Sequence, residues 1–170
     1  MASRLALAVV MAYVSIIAHE LGHYVAAVMY GLNAYIRLVM VGGLPLTAYT
    51  CIDLPSRHMA SYVAVTSLAG PMVNLLLAAV LVPMAYQLDD VVMGVIGSVN
   101  AGICLTSTLP AFEMVNLSFR VLRLNDGGHA IYYSSAYPGM HVLCWSCIAL
   151  MVFTSLLIMF RGIRYIVYGQ

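Results

Sequence analysis

Ala18-His19-Glu20-Leu21-Gly22-His23-Tyr24 lies inside an apolar run, Leu5 to Tyr30, that is long enough to cross a bilayer at about 1.5 Å of rise per residue. An ionisable side chain at membrane depth costs on the order of 2–3 kcal/mol even on a lenient insertion scale, so three within five residues need a compensating partner. On a helix, positions i and i+4 differ by about 40° in azimuth and about 6 Å in height, so His19 and His23 can reach one ion while Glu20 projects beside them. A metal would hold the imidazoles neutral, offset the carboxylate charge and require a wet pocket. The blander reading, polar residues hydrogen-bonded between helices, leaves the cost of the ionisable groups unanswered.

Hydrophobic residues make up 64% of the 170 positions, charged residues 8%, and the mean hydropathy is +0.98. Such a composition marks a membrane protein. The net charge of +1 rests on seven arginines and no lysine, scattered singly or in pairs, which gives no basic patch, and no nucleic-acid partner is expected. Among the four cysteines, Cys104, Cys144 and Cys147 sit in apolar runs as small hydrophobes. The spacing Cys144-Trp145-Ser146-Cys147 therefore reads as packing, not as a redox pair.

After the first run the character changes. Tyr35-Ile36-Arg37-Leu38-Val39-Met40-Val41 is β-branched and aromatic, and Gly42-Gly43, Pro45 and Thr47-Ala48-Tyr49-Thr50 follow, which predicts a short membrane-inserted hairpin or re-entrant segment. Lipid cannot satisfy such backbone, so protein or a wet cavity is expected beside it. Ser61 to Tyr86, interrupted by Gly70-Pro71, and Val91 to Leu109 give two further spans around a turn at Asp89-Asp90. Pro110 to Leu124 reads as an interfacial, partly helical connector and His129 to Tyr137 as a short helix; Val142 to Phe160 is a last span ending at Arg161 and Arg164. The expected fold is an all-α polytopic membrane protein of about four transmembrane helices. It forms a single integral-membrane domain over residues 1–170, with a three-helix core at roughly 5–135 and an additional C-terminal span at 142–160.

Two histidines on one helix leave room for a third protein ligand and a water, and the neighbouring Glu20 can take that water's proton. This His-Glu-x-x-His arrangement is the one found in zinc hydrolases. With five histidines in the chain, composition alone would produce it with odds on the order of one in five hundred. The remaining acids and histidines are Asp53, Asp89, Asp90, Glu113, Asp126, His58, His129 and His141, most of them in loops at span ends. Asp126 stands out because Asp126-Gly127-Gly128 exposes a carboxylate where glycine admits close packing, although a lone Asp-Gly-Gly is equally an ordinary turn.

His19-Glu20-Leu21-Gly22-His23 in an apolar helix, Leu68-Ala69-Gly70-Pro71-Met72-Val73-Asn74 in the next, and Asn125-Asp126-Gly127-Gly128-His129 further on resemble the three signature elements of the site-2 protease family of intramembrane zinc metalloproteases. Order and approximate spacing agree, and the likeness runs from His19 to Tyr133. The resemblance implies a three-helix catalytic core, one zinc ion per chain held by His19, His23 and Asp126, and Glu20 as general base. Family members also follow the metal helix with a short membrane-inserted β segment, which the stretch around Gly43 resembles. Asn74 matches the asparagine of the Gly-Pro-x-x-Asn element, with either an interhelical hydrogen-bonding role or a substrate-orienting one. His129 is either a donor to a developing oxyanion or a supporting residue. Two features depart from the family pattern: Ser107-Thr108-Leu109-Pro110 stands where Asn-Leu-x-Pro is usual, and a long connector separates Pro110 from Asp126.

The function expected is hydrolysis of peptide bonds in membrane-embedded or membrane-proximal protein substrates, as in regulated intramembrane proteolysis. The alternatives are a catalytically inactive membrane binding module of the same fold and a metal or proton transporter, the latter having no need of a glutamate beside the first histidine. Besides lipid and a transmembrane or membrane-associated substrate, a regulatory membrane protein is the expected partner, because these 170 residues show no soluble regulatory segment. Arg37, Arg57, Arg120 and Arg123 against Arg4, Arg161 and Arg164 lean the active site of this multi-pass protein towards the cytoplasmic side.

Overall fold

The computed structural model describes residues 2–41, 44–53, 59–115, 118–122 and 125–169. In chain order the elements are α1 (Ala2–Met29), β1 (Asn33–Val41), β2 (Leu44–Asp53), α2 (Ala60–Leu88), α3 (Val91–Thr108), β3 (Ala111–Val115), β4 (Ser118–Leu122), α4 (Asp126–Ser134) and α5 (Pro138–Tyr168). Among the described residues four stretches, Val9–Met29 within α1 and the whole of α2, α3 and α5, are long and apolar enough to cross a membrane. The distribution of side chains suits lipid as the solvent. Ser15, His19, His23, Thr66, Asn74 and Asn100 are buried, while Val142, Leu150, Phe153 and Phe160 of α5 are exposed.

The path of the chain after α1 is set by a Schellman turn. Gly31 adopts φ +71°, its N–H reaches Val28 O at 2.9 Å, and the Leu32 N–H reaches Ala27 O at 2.9 Å. Leu32 then packs against Ala27 and Val63 and directs the chain into β1. β1 and β2 pair antiparallel from Asn33↔Asp53 to Val41↔Leu44, so the hairpin expected after the first helix is present. It folds back along α1, because Thr50 of β2 bonds Glu20, a residue about 13 Å before the helix end at Met29. Gly42 and Gly43 lie outside the described residues.

α2 runs from Ala60 to Leu88 through Pro71 and Pro83, so the stretch with Gly70-Pro71 in its middle forms one span, as expected. Each proline removes one intrahelical hydrogen bond, a loss that neighbouring helices in a membrane bundle can absorb. Asp89, at φ 51°, turns the chain, and the Asp90 side chain caps α3 by accepting from the Val92 and Met93 amides. α2 packs on α1, α3, α4 and α5. Its approach to α1 is set at Gly22, where a Cβ would stand 2.8 Å from Val73 Cγ2 and 2.9 Å from Ala69 O.

The connector differs from expectation. Pro110 to Leu124 holds a second antiparallel hairpin, Ala111↔Leu122 to Val115↔Ser118, in place of a partly helical segment. Its aromatic and β-branched content, Phe112, Phe119 and Val121, favours extended backbone. Asp126-Gly127-Gly128 is the first turn of α4 rather than a loop.

Candidate metal and catalytic site

His19, Glu20 and His23 leave one stretch of α1, and the two imidazoles meet edge to face with centroids 4.8 Å apart. Their Nδ1 atoms point away from each other, each towards an acceptor. The His23 Nδ1–H donates to Thr66 O of α2 at 2.7 Å, and the His19 Nδ1–H donates to Asn74 Oδ1 at 2.5 Å. A neutral imidazole that donates through Nδ1 has only a lone pair at Nε2. Both Nε2 atoms face inwards, 3.1 Å apart. They also face Asp126, whose Oδ2 is 3.0 Å from His19 Nε2 and whose Oδ1 is 3.3 Å from His23 Nε2.

Room for the His23 ring comes from Gly70, because a Cβ there would stand 2.7 Å from ring atoms Cδ2 and Cε1, with Nε2 nearer still. Asp126 is delivered by the start of α4. Asn125 accepts from the Gly128 amide at 2.9 Å as N-cap, and its Nδ2 donates to Leu109 O at 2.6 Å and Thr106 O at 3.1 Å, tying α4 to the end of α3. Gly127 permits that contact, since a Cβ there would overlap Thr108 O. Burial pushes the Asp126 carboxyl up, but once the facing imidazoles are protonated the hydrogen bonds and charges of His19 and His23 outweigh it and hold it at about 2.

Two inward lone pairs and a carboxylate at these distances repel unless positive charge sits among them, and the donor set, two nitrogens and a carboxylate, suits zinc. Ligand bonds of about 2.0–2.1 Å at tetrahedral angles would place the ligand atoms about 3.3–3.4 Å apart. The observed separations of 3.0 to 3.3 Å fall close to that. His19, Glu20 and His23 by themselves bring potential ligand atoms within 4.8 Å of one another.

Glu20 is buried beside the histidines, and the Thr50 hydroxyl lies 2.9 Å from its Oε2 and 2.8 Å from its backbone O. A cavity of about 330 Å³ opens here, lined among others by Glu20, His23, Thr50, Asp126, His129 and Tyr133. His129, one helical turn after Asp126, thus faces the same space. Asn74 does not line it: this residue is fully buried and bonds His19 from behind. The other sequence candidates go elsewhere. Asp89 accepts from Tyr165 OH, Asp90 caps α3, His141 bonds Ser134 and Trp145, and Asp53 pairs with Asn33 at the base of the first hairpin. His58 lies outside the described residues, and of Glu113 only its place on β3 is described.

Thr50, Ser15 and Asn100 were not singled out by sequence. Thr50 carried no signal beyond its place in the hairpin after α1. Asn100, an amide amid the apolar residues of a spanning helix, carried the general one that polar groups at that depth have a reason.

The model of Peptidase family M50 matches residues 7–163, which includes His19, Glu20, His23, Asn74, Asp126 and His129. No curated protein and no solved structure matches the chain significantly.

Proposed function

The chain belongs to peptidase family M50, and on that premise we propose that it is an intramembrane zinc endopeptidase in which residues 1–170 act as one integral-membrane domain. The observation that carries this reading is the convergence of two bare Nε2 atoms and the Asp126 carboxylate beside the carboxylate of Glu20, at a cavity that His23, Asp126 and Glu20 line. His19, His23 and Asp126 would hold one zinc. When bound, zinc supplies Lewis acidity, making water a better nucleophile at neutral pH and polarising the scissile carbonyl.

The chain's own groups do the rest. Glu20 accepts the proton of the attacking water and passes it to the leaving amine. Thr50 holds the carboxylate in place through its hydroxyl. His129 donates to the oxyanion as it develops, from the wall of the same cavity. A helical substrate has its amides enclosed by its own hydrogen bonds, so the substrate is a membrane protein segment in extended form, pairing with the first hairpin near Gly43. Four arginines at this end against three at the other lean it towards the cytoplasmic side.

The test uses purified protein in detergent micelles, with a single-span reporter peptide carrying helix-breaking residues. Wild type should cleave the peptide, a chelator should stop it, and zinc should restore it. Glu20→Gln should retain zinc and lose about a hundredfold or more of the rate. Cleavage by Glu20→Gln at the wild-type rate would remove the enzyme assignment. Zinc flux into vesicles without any cleavage would favour transport.

A further inference from the structure

A chain of hydrogen bonds whose direction is fixed at its far end runs through the helix bundle to His19. It starts at two backbone carbonyls, which can only accept: Met11 O takes the Ser15 hydroxyl hydrogen at 2.9 Å, and Ile96 O takes a hydrogen of Asn100 Nδ2 at 2.9 Å. The second Nδ2 hydrogen of Asn100 goes to Ser15 Oγ at 2.9 Å, so its Oδ1 faces Asn74. Asn74 must therefore present Nδ2 there, at 2.8 Å, and its other hydrogen points to Ser15 O at 3.3 Å. Only its Oδ1 remains for His19 Nδ1, which has to carry the proton. Ser15 of α1, Asn74 of α2 and Asn100 of α3 are all buried.

We propose that Asn100 and Ser15 are positioning residues for the metal site: acting through Asn74, they fix His19 in the Nδ1–H tautomer and keep its Nε2 lone pair turned towards His23 and Asp126. This inference rests on the metal reading given above. Without Asn100, the Asn74 carboxamide loses the acceptor that orients it. After a half turn it would offer N–H to His19 Nδ1, favour the opposite tautomer and place a hydrogen where the metal must bind. Neither Ser15 nor Asn100 lies in the three short motifs, around His19–His23, Leu68–Asn74 and Asn125–His129. A purely mechanical role, three helices joined by buried amides, is the competing explanation.

The two separate in a double-variant cycle read by zinc affinity, with chelator competition on the full-length protein in detergent and the visible spectrum of the cobalt-substituted form as a signature of the ligand set. Asn100→Leu should bind zinc about 10- to 100-fold more weakly and show an altered cobalt spectrum. The double variant with Asn74→Leu should bind no more weakly than Asn74→Leu alone, because the effect passes through Asn74. Ser98→Ala, a change on the same helix outside the chain of bonds, should stay within about twofold of wild type. If Asn100→Leu does not fold, Ser15→Ala should shift affinity the same way by about three- to tenfold, the worth of one hydrogen bond. Wild-type affinity in a folded Asn100→Leu or Ser15→Ala, or additive losses in the double variant, would overturn the inference while leaving the metal site standing. Failure of wild type to take up zinc or cobalt would overturn the metal reading and this inference with it.

Discussion

Replacing Gly70 by alanine should weaken zinc binding without dismantling the fold, and the size of the effect follows from two distances. The new Cβ would stand 2.7 Å from Cδ2 and Cε1 of His23, whereas carbon atoms rest about 3.5–4.0 Å apart, so roughly 1 Å must be found. The helix backbone of α2 yields less readily than a ring, so the imidazole moves. Its Nδ1 is held by Thr66 O at 2.7 Å, and any swing that clears the methyl group either breaks that bond or carries Nε2 away from His19 and Asp126. Overpacking of this kind costs about 1–3 kcal/mol, which at 1.4 kcal/mol per decade is about 5- to 150-fold in zinc affinity. Alanine meanwhile raises helix propensity by up to about 1 kcal/mol, so metal-free stability should change much less than affinity. Gly102→Ala is the matching control, because a Cβ there meets nothing within 4 Å; it should leave zinc binding alone and stabilise slightly. Chelator-competition titrations of the three proteins, with thermal unfolding of the metal-free forms, decide the matter. Zinc affinity of Gly70→Ala within about twofold of wild type would refute the assignment of His23 as a ligand in this geometry.

Three further outcomes are expected. Gly127→Ala puts a Cβ onto the backbone carbonyl of Thr108, which cannot swing aside as a ring can; α4 must shift, lowering stability by about 1–3 kcal/mol and zinc affinity at least about tenfold, by thermal unfolding and titration. Thr50→Val removes the hydroxyl from the Glu20 carboxylate and should lower the rate of reporter cleavage about tenfold with zinc affinity unchanged, a charge-assisted hydrogen bond being worth about 1.5–3 kcal/mol. Zinc affinity should fall as pH drops, because protons and metal compete for the same two Nε2 atoms. The Asp126 carboxyl, held at about 2, stays ionised throughout, so the logarithm of affinity should fall by no more than about two per pH unit, one for each histidine. A steeper fall in titrations between about pH 7 and 5 would mean that a third proton is taken up.

The parts of this protein that were legible in the sequence are those where one physical requirement leaves few solutions. Spanning helices are long apolar runs, and His-Glu-x-x-His is readable because helical geometry places both imidazoles without help from the rest of the chain. Asn74 was visible as an intramembrane amide, yet its task was not. Choosing between substrate and histidine needs the knowledge that it is fully buried behind His19, and burial belongs to the packing of α1, α2 and α3. Thr50 was hidden for a similar reason, since only the backward fold of the hairpin brings it to Glu20. At Gly70-Pro71 the sequence showed one span with a proline inside it, and α2 does run through; that the adjacent glycine makes room for the His23 ring depends on how α1 packs against α2 and could not be read locally.

The long connector between Pro110 and Asp126 tests the family likeness most severely, because an insertion just before Asp126 would ordinarily displace it from His19 and His23. The chain meets this by making the insertion leave and return at nearly the same place. β3 begins directly after Pro110, its first residue Ala111 pairs with Leu122 at the end of β4, and Asn125 then bonds the carbonyls of Leu109 and Thr106 with its side chain. The closing entropy of a loop grows only slowly with its length, so a self-paired hairpin here adds little cost as long as its two ends are joined. One asparagine does that joining while its Oδ1 caps the helix that carries Asp126. The position of Asp126 is therefore set by Asn125 and by the contact of Gly127 with Thr108, not by the length of chain before it. Shortening the connector between Leu109 and Asn125 should leave zinc affinity intact, whereas Asn125→Ala, with every connector residue retained, should weaken it.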